Sequence, residues 1–275
     1  MNDRVKMKRF TRVMVLIFTS LLAANVQCQP ICAPDARANP AIVQAVKWVR
    51  NAAEKKASYR QIYAVGSAYV LHWVQQHHPQ NKTWGVVLDI DETVLDNSWY
   101  YYQCKNLAAN AKDFEHYVTI PKKSRALPGA VAFTRLVHSL GGYVSLVSNR
   151  DGSYVDQSGV TSLQATLDNL KQEKITFDQL ILANNKSAKH PTDKNPRFNA
   201  ILYGAYDAHE MVCSNTLPPH TVIAYFGDNI QDFPKLSQSA FDGLPNDSPQ
   251  YAKFGRGYFI FPNPLYGSWQ TNPSC

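Results

Sequence analysis

The 275-residue chain has 45% hydrophobic and 18% charged residues, an ordinary globular composition that excludes a disordered polymer. Its formal net charge is +7, from 28 Lys and Arg against 21 Asp and Glu. Five of those basic residues and one acid, Asp3, fall within residues 1–28, so the remainder carries 23 − 20 = +3. No basic run survives there to line a nucleic-acid groove, which excludes polymeric nucleic acid as a partner.

Arg4, Lys6, Lys8, Arg9 and Arg12 precede an apolar run from Val13 to Ala24. A basic start before a short apolar segment reads as a secretory signal peptide, and the run falls short of the roughly 20 residues a spanning helix needs. The expected division is a signal peptide, 1–28, and a single domain, 29–275, exported to the periplasm or beyond, with no transmembrane segment in the mature chain. Ala23 or Ala24 offers an alternative cleavage point. Lipid attachment at Cys28 is a second reading, disfavoured by Gln27 directly before it. The mature chain then keeps Cys32, Cys104, Cys213 and Cys275, which in an exported protein suggests two disulfides of undetermined pairing. None of the four has the spacing of a zinc site.

From Pro40 to His77 apolar residues recur at helical spacing, with a break expected near Ala57. A strand-then-helix rhythm begins at Trp84. Gly85–Ile90 reads as a strand, Pro128 opens a helix that Gly141-Gly142 stops, and Tyr143–Val147 is the next strand. A helix over Leu163, Leu167 and Leu170 precedes a strand at 180–182, and Phe198, Ile201 and Leu202 mark another helix. Val222–Phe226 and Tyr258–Phe261 read as the last strands. Alternation of this kind predicts an α/β fold, a parallel sheet with helices on both faces. The stretch 97–127 is too long for an ordinary connection and reads as a lid. A smaller, mainly helical cap is expected from about 38–80 and 97–127.

Ligands of open parallel sheets bind beyond the carboxyl ends of the strands. Three predicted strands end in Asp89/Asp91, Ser148-Asn149-Arg150 and Asp228, and a fourth is followed by Lys186 and Lys189. Phosphoryl transfer needs those types: a carboxylate nucleophile, a second acid for the leaving oxygen, hard oxygen ligands for a cation, and a hydroxyl and an ammonium for the equatorial oxygens. Glu92 and Asp96 read as structural. The eight histidines form no motif.

The segment Gly85-Val-Val-Leu-Asp-Ile-Asp-Glu-Thr-Val-Leu-Asp-Asn97 resembles the nucleophile motif of the haloacid dehalogenase superfamily, in the form used by the exported class C bacterial acid phosphatases with their DDDD-type signature. Gly227-Asp-Asn-Ile-Gln-Asp-Phe233 is similar to its second half. Residues 124–130, 147–150, 185–189, 253–258 and 262–269 match in order between and beyond them. The resemblance implies a Rossmann-like sheet and a magnesium-dependent hydrolase of small phosphomonoesters, with nucleoside 5'-monophosphates in view and a homodimer left open. It implies Asp89 as nucleophile and metal ligand, and Asp91 as general acid/base with its carbonyl on the metal. Ser148 would bind the phosphoryl group, Lys186 would orient the nucleophile, and Asp228 would be the third ligand. Asp232 and Asn149 would stand behind these, and Tyr117, Arg150, Tyr266 and Trp269 would contact substrate. Asn184-Asn185, the stretch 190–195 and the connector 205–221 depart from the pattern. A catalytically inactive secreted binding or storage protein on the same fold is the alternative; the presence of both Asp89 and Asp91 speaks against it.

Overall fold

The computed structural model describes residues 39–104, 111–119 and 124–272. The expected signal peptide, Cys32, Cys275 and the side chain of Cys104 lie outside them. Helix α1 (Pro40–Asn51) starts behind Asn39, whose side chain accepts the Ala41 N–H at 2.9 Å, with Pro40 in the first turn, where its missing N–H costs nothing. The break comes at Ala52, not near Ala57: its extended backbone separates α1 from α2 (Ala53–His77). There follow β1 (Trp84–Leu88), β2 (Leu95–Asp96), α3 (Ser98–Cys104), α4 (Ala111–Thr119), β3 (Arg125–Ala126), α5 (Ala130–Ser139) and β4 (Tyr143–Asp151). The chain continues through α6 (Ser162–Gln172), β5 (Gln179–Ala183), α7 (Asn195–Tyr203), β6 (Met211–Cys213), β7 (Thr221–Gly227) and β8 (Tyr258–Ile260). No helix among the described residues is long and apolar enough to cross a membrane.

Six strands form one sheet in the order β6-β5-β4-β1-β7-β8. All neighbours are parallel except β6, which runs antiparallel to β5 along the edge. Because side chains alternate along a strand, Val86 and Leu88 join a core with α2, α5 and α6, while Val87 joins Phe198 and Ile201 of α7 on the opposite face. Strands covered on both faces read as continuous apolar runs, which is why β1, β5 and β7 were legible. β6 was not: it is three residues long and sits in a connector.

Helix α2 is not part of a cap. Tyr59, Tyr63 and Val70 are buried in the sheet's larger core, and the Tyr59 and Tyr63 hydroxyls donate to the carbonyls of Glu92 and Thr93. The helix therefore supports the loop after β1 from below. It approaches the sheet closely at Gly66, where an added Cβ would lie 2.6 Å from the ring of Phe226. Gly66→Ala is expected to cost about 1–2 kcal/mol, overpacking outweighing the gain in helix propensity, read as a lowered urea midpoint. In the expected lid, the described helices α3 and α4 share a small core of Tyr100, Tyr117 and Val118, while the antiparallel β2–β3 ribbon packs Leu95 and Ala126 against the sheet's larger core.

Cys213 is a free thiol among the described residues; the side chains of the other three cysteines of the expected pairing lie outside them. It lies on β6, packed against the apolar cluster under α7, and burial pushes its pKa up to about 11.

Candidate active site

The register of the sheet brings the functional side chains to one edge. Leu88 pairs with Leu146 and with Phe226, so the residues that follow, Asp89, Ser148 and Asp228, emerge side by side. The chain turns sharply after Asp89. Leu95 N–H returns to the Ile90 carbonyl at 2.8 Å, and Glu92 takes a left-handed conformation with φ 56°. That turn needs internal anchors. The Glu92 carboxyl accepts the Asn97 N–H at 2.8 Å and the Tyr266 hydroxyl, and Asp96 pairs with Lys55 at 2.8 Å. Burial pushes Glu92 up to about 8.

Asp91 is held by Arg150, whose Nη2 donates at 2.6 Å and Nε at 3.1 Å, and by Asn97 at 2.6 Å. Ser148 Oγ donates to Asp91 at 3.3 Å and accepts the Arg150 N–H. Arg150 is itself buried and anchored to Thr166 Oγ1 at 3.0 Å. Its guanidinium thus fixes Asp91 instead of standing free for substrate.

The ammonium beside the nucleophile is Lys194. Its Nζ donates to Asp89 and, at 2.7 Å, to Asp232, and the side chain is buried. Lys186, assigned this place by the resemblance, is exposed on the loop after β5. Lys194 immediately precedes α7, whose N-terminus lies at the carboxyl edge of the sheet. The loop that delivers it is latched by Arg197, which donates to the Asn149 side-chain oxygen and to the Pro191 carbonyl at 3.1 Å, while Asn149 donates to Thr192 at 3.3 Å. Asn149 consequently acts on the 190–194 loop. The stretch read as an insertion carries the site's second cation.

Asp89, Asp228 and Asp232 each present a carboxylate oxygen, all within 4.8 Å of one another. Asp232 stands with the other two instead of behind them. Its carboxylate accepts the Asn229 N–H at 2.9 Å, and the side chain packs over Gly227, where an added Cβ would lie 2.2 Å from the Asp232 Cβ and 2.4 Å from its Oδ2. Asp228 is steadied by Asn263 at 2.7 Å. Burial, together with the neighbouring carboxylates and against the pull of Lys194, raises Asp89 to about 7; burial and the same crowding push Asp228 well up. Three buried carboxylates facing one ammonium make a hard, oxygen-only, electron-rich donor set, and these residues fit a hard divalent cation.

The edge opens into a cavity of about 300 Å³ lined by Asp89, Asp91, Arg150, Lys194, Asp228 and Asp232 on its floor and by Tyr101, Phe114, Glu115 and Tyr266 above. Tyr101 and Tyr266 stack with ring centroids 5.3 Å apart. Tyr266 thus borders the cavity as expected. Tyr117 does not: it is fully buried among the cap aromatics. Trp269 lies exposed outside the lining, its indole N–H on the Tyr266 carbonyl at 3.2 Å. Four lining residues, Phe114, Glu115, Thr192 and Lys194, were not singled out in the sequence.

A parallel α/β sheet with paired aspartates at its carboxyl edge, a buried ammonium and a helical cap defines a phosphohydrolase of the haloacid dehalogenase type. Among solved structures the chain is similar to the class C acid phosphatase from Bacillus anthracis, with a TM-score of 0.60 and 28% identity over 83% of this chain and 86% of that one. The tungstate-bound structure of that phosphatase matches with the same figures. Residues 13–269 match the family described as HAD superfamily, subfamily IIIB (Acid phosphatase). The chain belongs to that family and is a phosphomonoester hydrolase.

Proposed function

We propose that the protein is an exported, magnesium-dependent acid phosphatase that works through an aspartyl-phosphate on Asp89, with nucleoside 5'-monophosphates among its substrates. The observation that carries this is the convergence on one cavity floor of Asp89 at the end of β1, Lys194 on its carboxylate, and Asp91 on the far side of the same turn. Asp89, Asp228 and Asp232 would hold the magnesium ion, which when bound would neutralise charge on the phosphoryl oxygens.

In the first step an Asp89 carboxylate oxygen attacks phosphorus, the P–O bond to the leaving alcohol breaks, and Asp91 donates a proton to that oxygen. Arg150 and Asn97 keep the Asp91 carboxyl pointed at the leaving oxygen. In the second step Asp91 takes a proton from water, the water oxygen attacks phosphorus, and the P–O bond to Asp89 breaks to release phosphate. Lys194 offsets charge at the nucleophile throughout, and the buried Ser148 hydroxyl donates to the Asp91 carboxylate. The aromatic walls, Tyr101, Phe114 and Tyr266, suit a flat leaving group such as a nucleobase. Export rests on the basic-then-apolar start of the chain.

The test is acid quenching during turnover of a ³²P-labelled phosphomonoester with magnesium present. Label is expected on the peptide containing Asp89 and nowhere else. A burst with no protein-bound label, or label on another peptide, overturns the mechanism.

A further inference from the structure

Among the described residues, the cavity is lined by more carboxylates than cations. Five carboxylates line the whole cavity against two cations, Arg150 and Lys194, and both cations are already engaged, Arg150 by Asp91 and Lys194 by Asp89 and Asp232. Four of those carboxylates belong to the chemistry described above. The fifth, Glu115, does not. It comes from cap helix α4, is 8% exposed, and uses one oxygen, Oε1, to accept the Asp151 N–H at 2.9 Å. Its other oxygen, Oε2, is buried with no hydrogen-bond partner. A buried carboxyl oxygen without a donor is an unmet acceptor, and such groups are rare in folded proteins unless a ligand or water satisfies them. Glu115 lines the same cavity as Asp91, and Asp151, whose N–H it accepts, directly follows the Arg150 that holds Asp91.

We infer that Glu115 is a specificity-determining residue, whose carboxyl receives a hydroxyl or amino donor of the leaving group and turns away leaving groups that carry a second anion. This rests on the phosphatase reading above and narrows its substrate class: monophosphate esters of neutral, hydroxylated or aminated alcohols, against bisphosphates. Phe114, the preceding residue on α4, and Tyr101 supply the apolar remainder of that wall. Burial pushes the Glu115 carboxyl up to about 7, so above that pH it faces an anionic leaving group as a like charge in a partly dehydrated site, where repulsion is strong, while a neutral donor meets an acceptor waiting for it.

Three substrates separate the outcomes: phenyl phosphate, which has no donor; ribose 5-phosphate; and fructose 1,6-bisphosphate. Wild-type turnover of phenyl phosphate tests the phosphatase reading independently of Glu115, and its failure sinks that reading rather than this one. With Glu115→Ala, the ratio of kcat/KM for ribose 5-phosphate to that for phenyl phosphate is expected to fall on the order of tenfold, as loss of a hydrogen bond to a buried acceptor implies. Assayed at pH 8, where Glu115 is ionised, Glu115→Gln, which keeps the Asp151 contact, and Glu115→Lys are expected to raise the ratio for the bisphosphate to phenyl phosphate, most with Lys. Equal losses on all three substrates, or no change in either ratio, overturn the inference and leave Glu115 as an anchor for Asp151 alone. Circular dichroism identifies any variant that does not fold, and Glu115→Gln decides if the others fail.

Discussion

Lys194→Met is expected to lower kcat by on the order of a hundred- to a thousandfold, the usual cost of removing one preorganised group from the charge-stabilising side of such a site. Lys186→Met is expected to stay within about twofold of wild type. The reasoning is geometric. Lys194 Nζ reaches both Asp89 and Asp232, whereas Lys186 is exposed to solvent on the preceding loop. Removing the ammonium leaves three buried carboxylates facing one another; the nucleophile then holds its proton more tightly and loses attacking power. The loss should sit in kcat more than in KM, because charge offset at Asp89 matters most as the new P–O bond forms. Steady-state kinetics of the two variants with phenyl phosphate decides it. A severe loss in Lys186→Met with an active Lys194→Met would return the role to the loop after β5.

The second expected result concerns the cation. Exhaustive chelation is expected to reduce activity by at least a hundredfold, with magnesium restoring it, and to change how stability depends on pH. The sign follows from the shifted carboxyls. Asp89 titrates near 7 in the folded chain and Glu115 also near 7, with Glu92 near 8, all above the ordinary carboxyl range of about 4. Between pH 4 and pH 7 the folded state therefore binds more protons than the unfolded one, and stability falls as pH rises through that window. The metal-free protein should lose on the order of 5 °C in Tm between pH 4.5 and pH 7.5. Saturating magnesium should flatten or invert the slope, because binding favours the ionised ligands and displaces their protons. Thermal melts at four pH values with and without magnesium check this. Identical slopes in the two series, or full activity after chelation, would remove the cation from Asp89, Asp228 and Asp232.

The strands that end in Asp89, Ser148 and Asp228 were legible because strands covered on both faces leave unbroken apolar runs, and polar residues at their ends stand out. Lys194 was harder to see. Proximity along the chain favoured Lys186, a few residues past β5, over a lysine inside what read as an insertion. A usable signal was present: Lys194 stands directly before Asn195-Pro196, a helix start, and helix starts in such folds lie at the carboxyl edge of the sheet. The resemblance placed Arg150 on the substrate; its burial beside Asp91 depends on Thr166, sixteen residues away, which no local pattern shows. Helix α2 was read as cap because its apolar stripe says that a face is buried and not what buries it. Tyr117 and Trp269 failed for a related reason. Aromatic residues mark packing as readily as recognition, and only position relative to the cavity separates the two.

The last stretch of the described chain, beyond β8, supports the site from outside the sheet. Asn263 steadies Asp228, and Tyr266 both grips Glu92 under the nucleophile turn and walls the cavity. A cut after β8 would leave the residues of all six strands in the chain and yet take an anchor from the turn that carries Asp91 and a wall from the cavity. The segment 261–272 is thus where a nick would silence the enzyme without touching a strand.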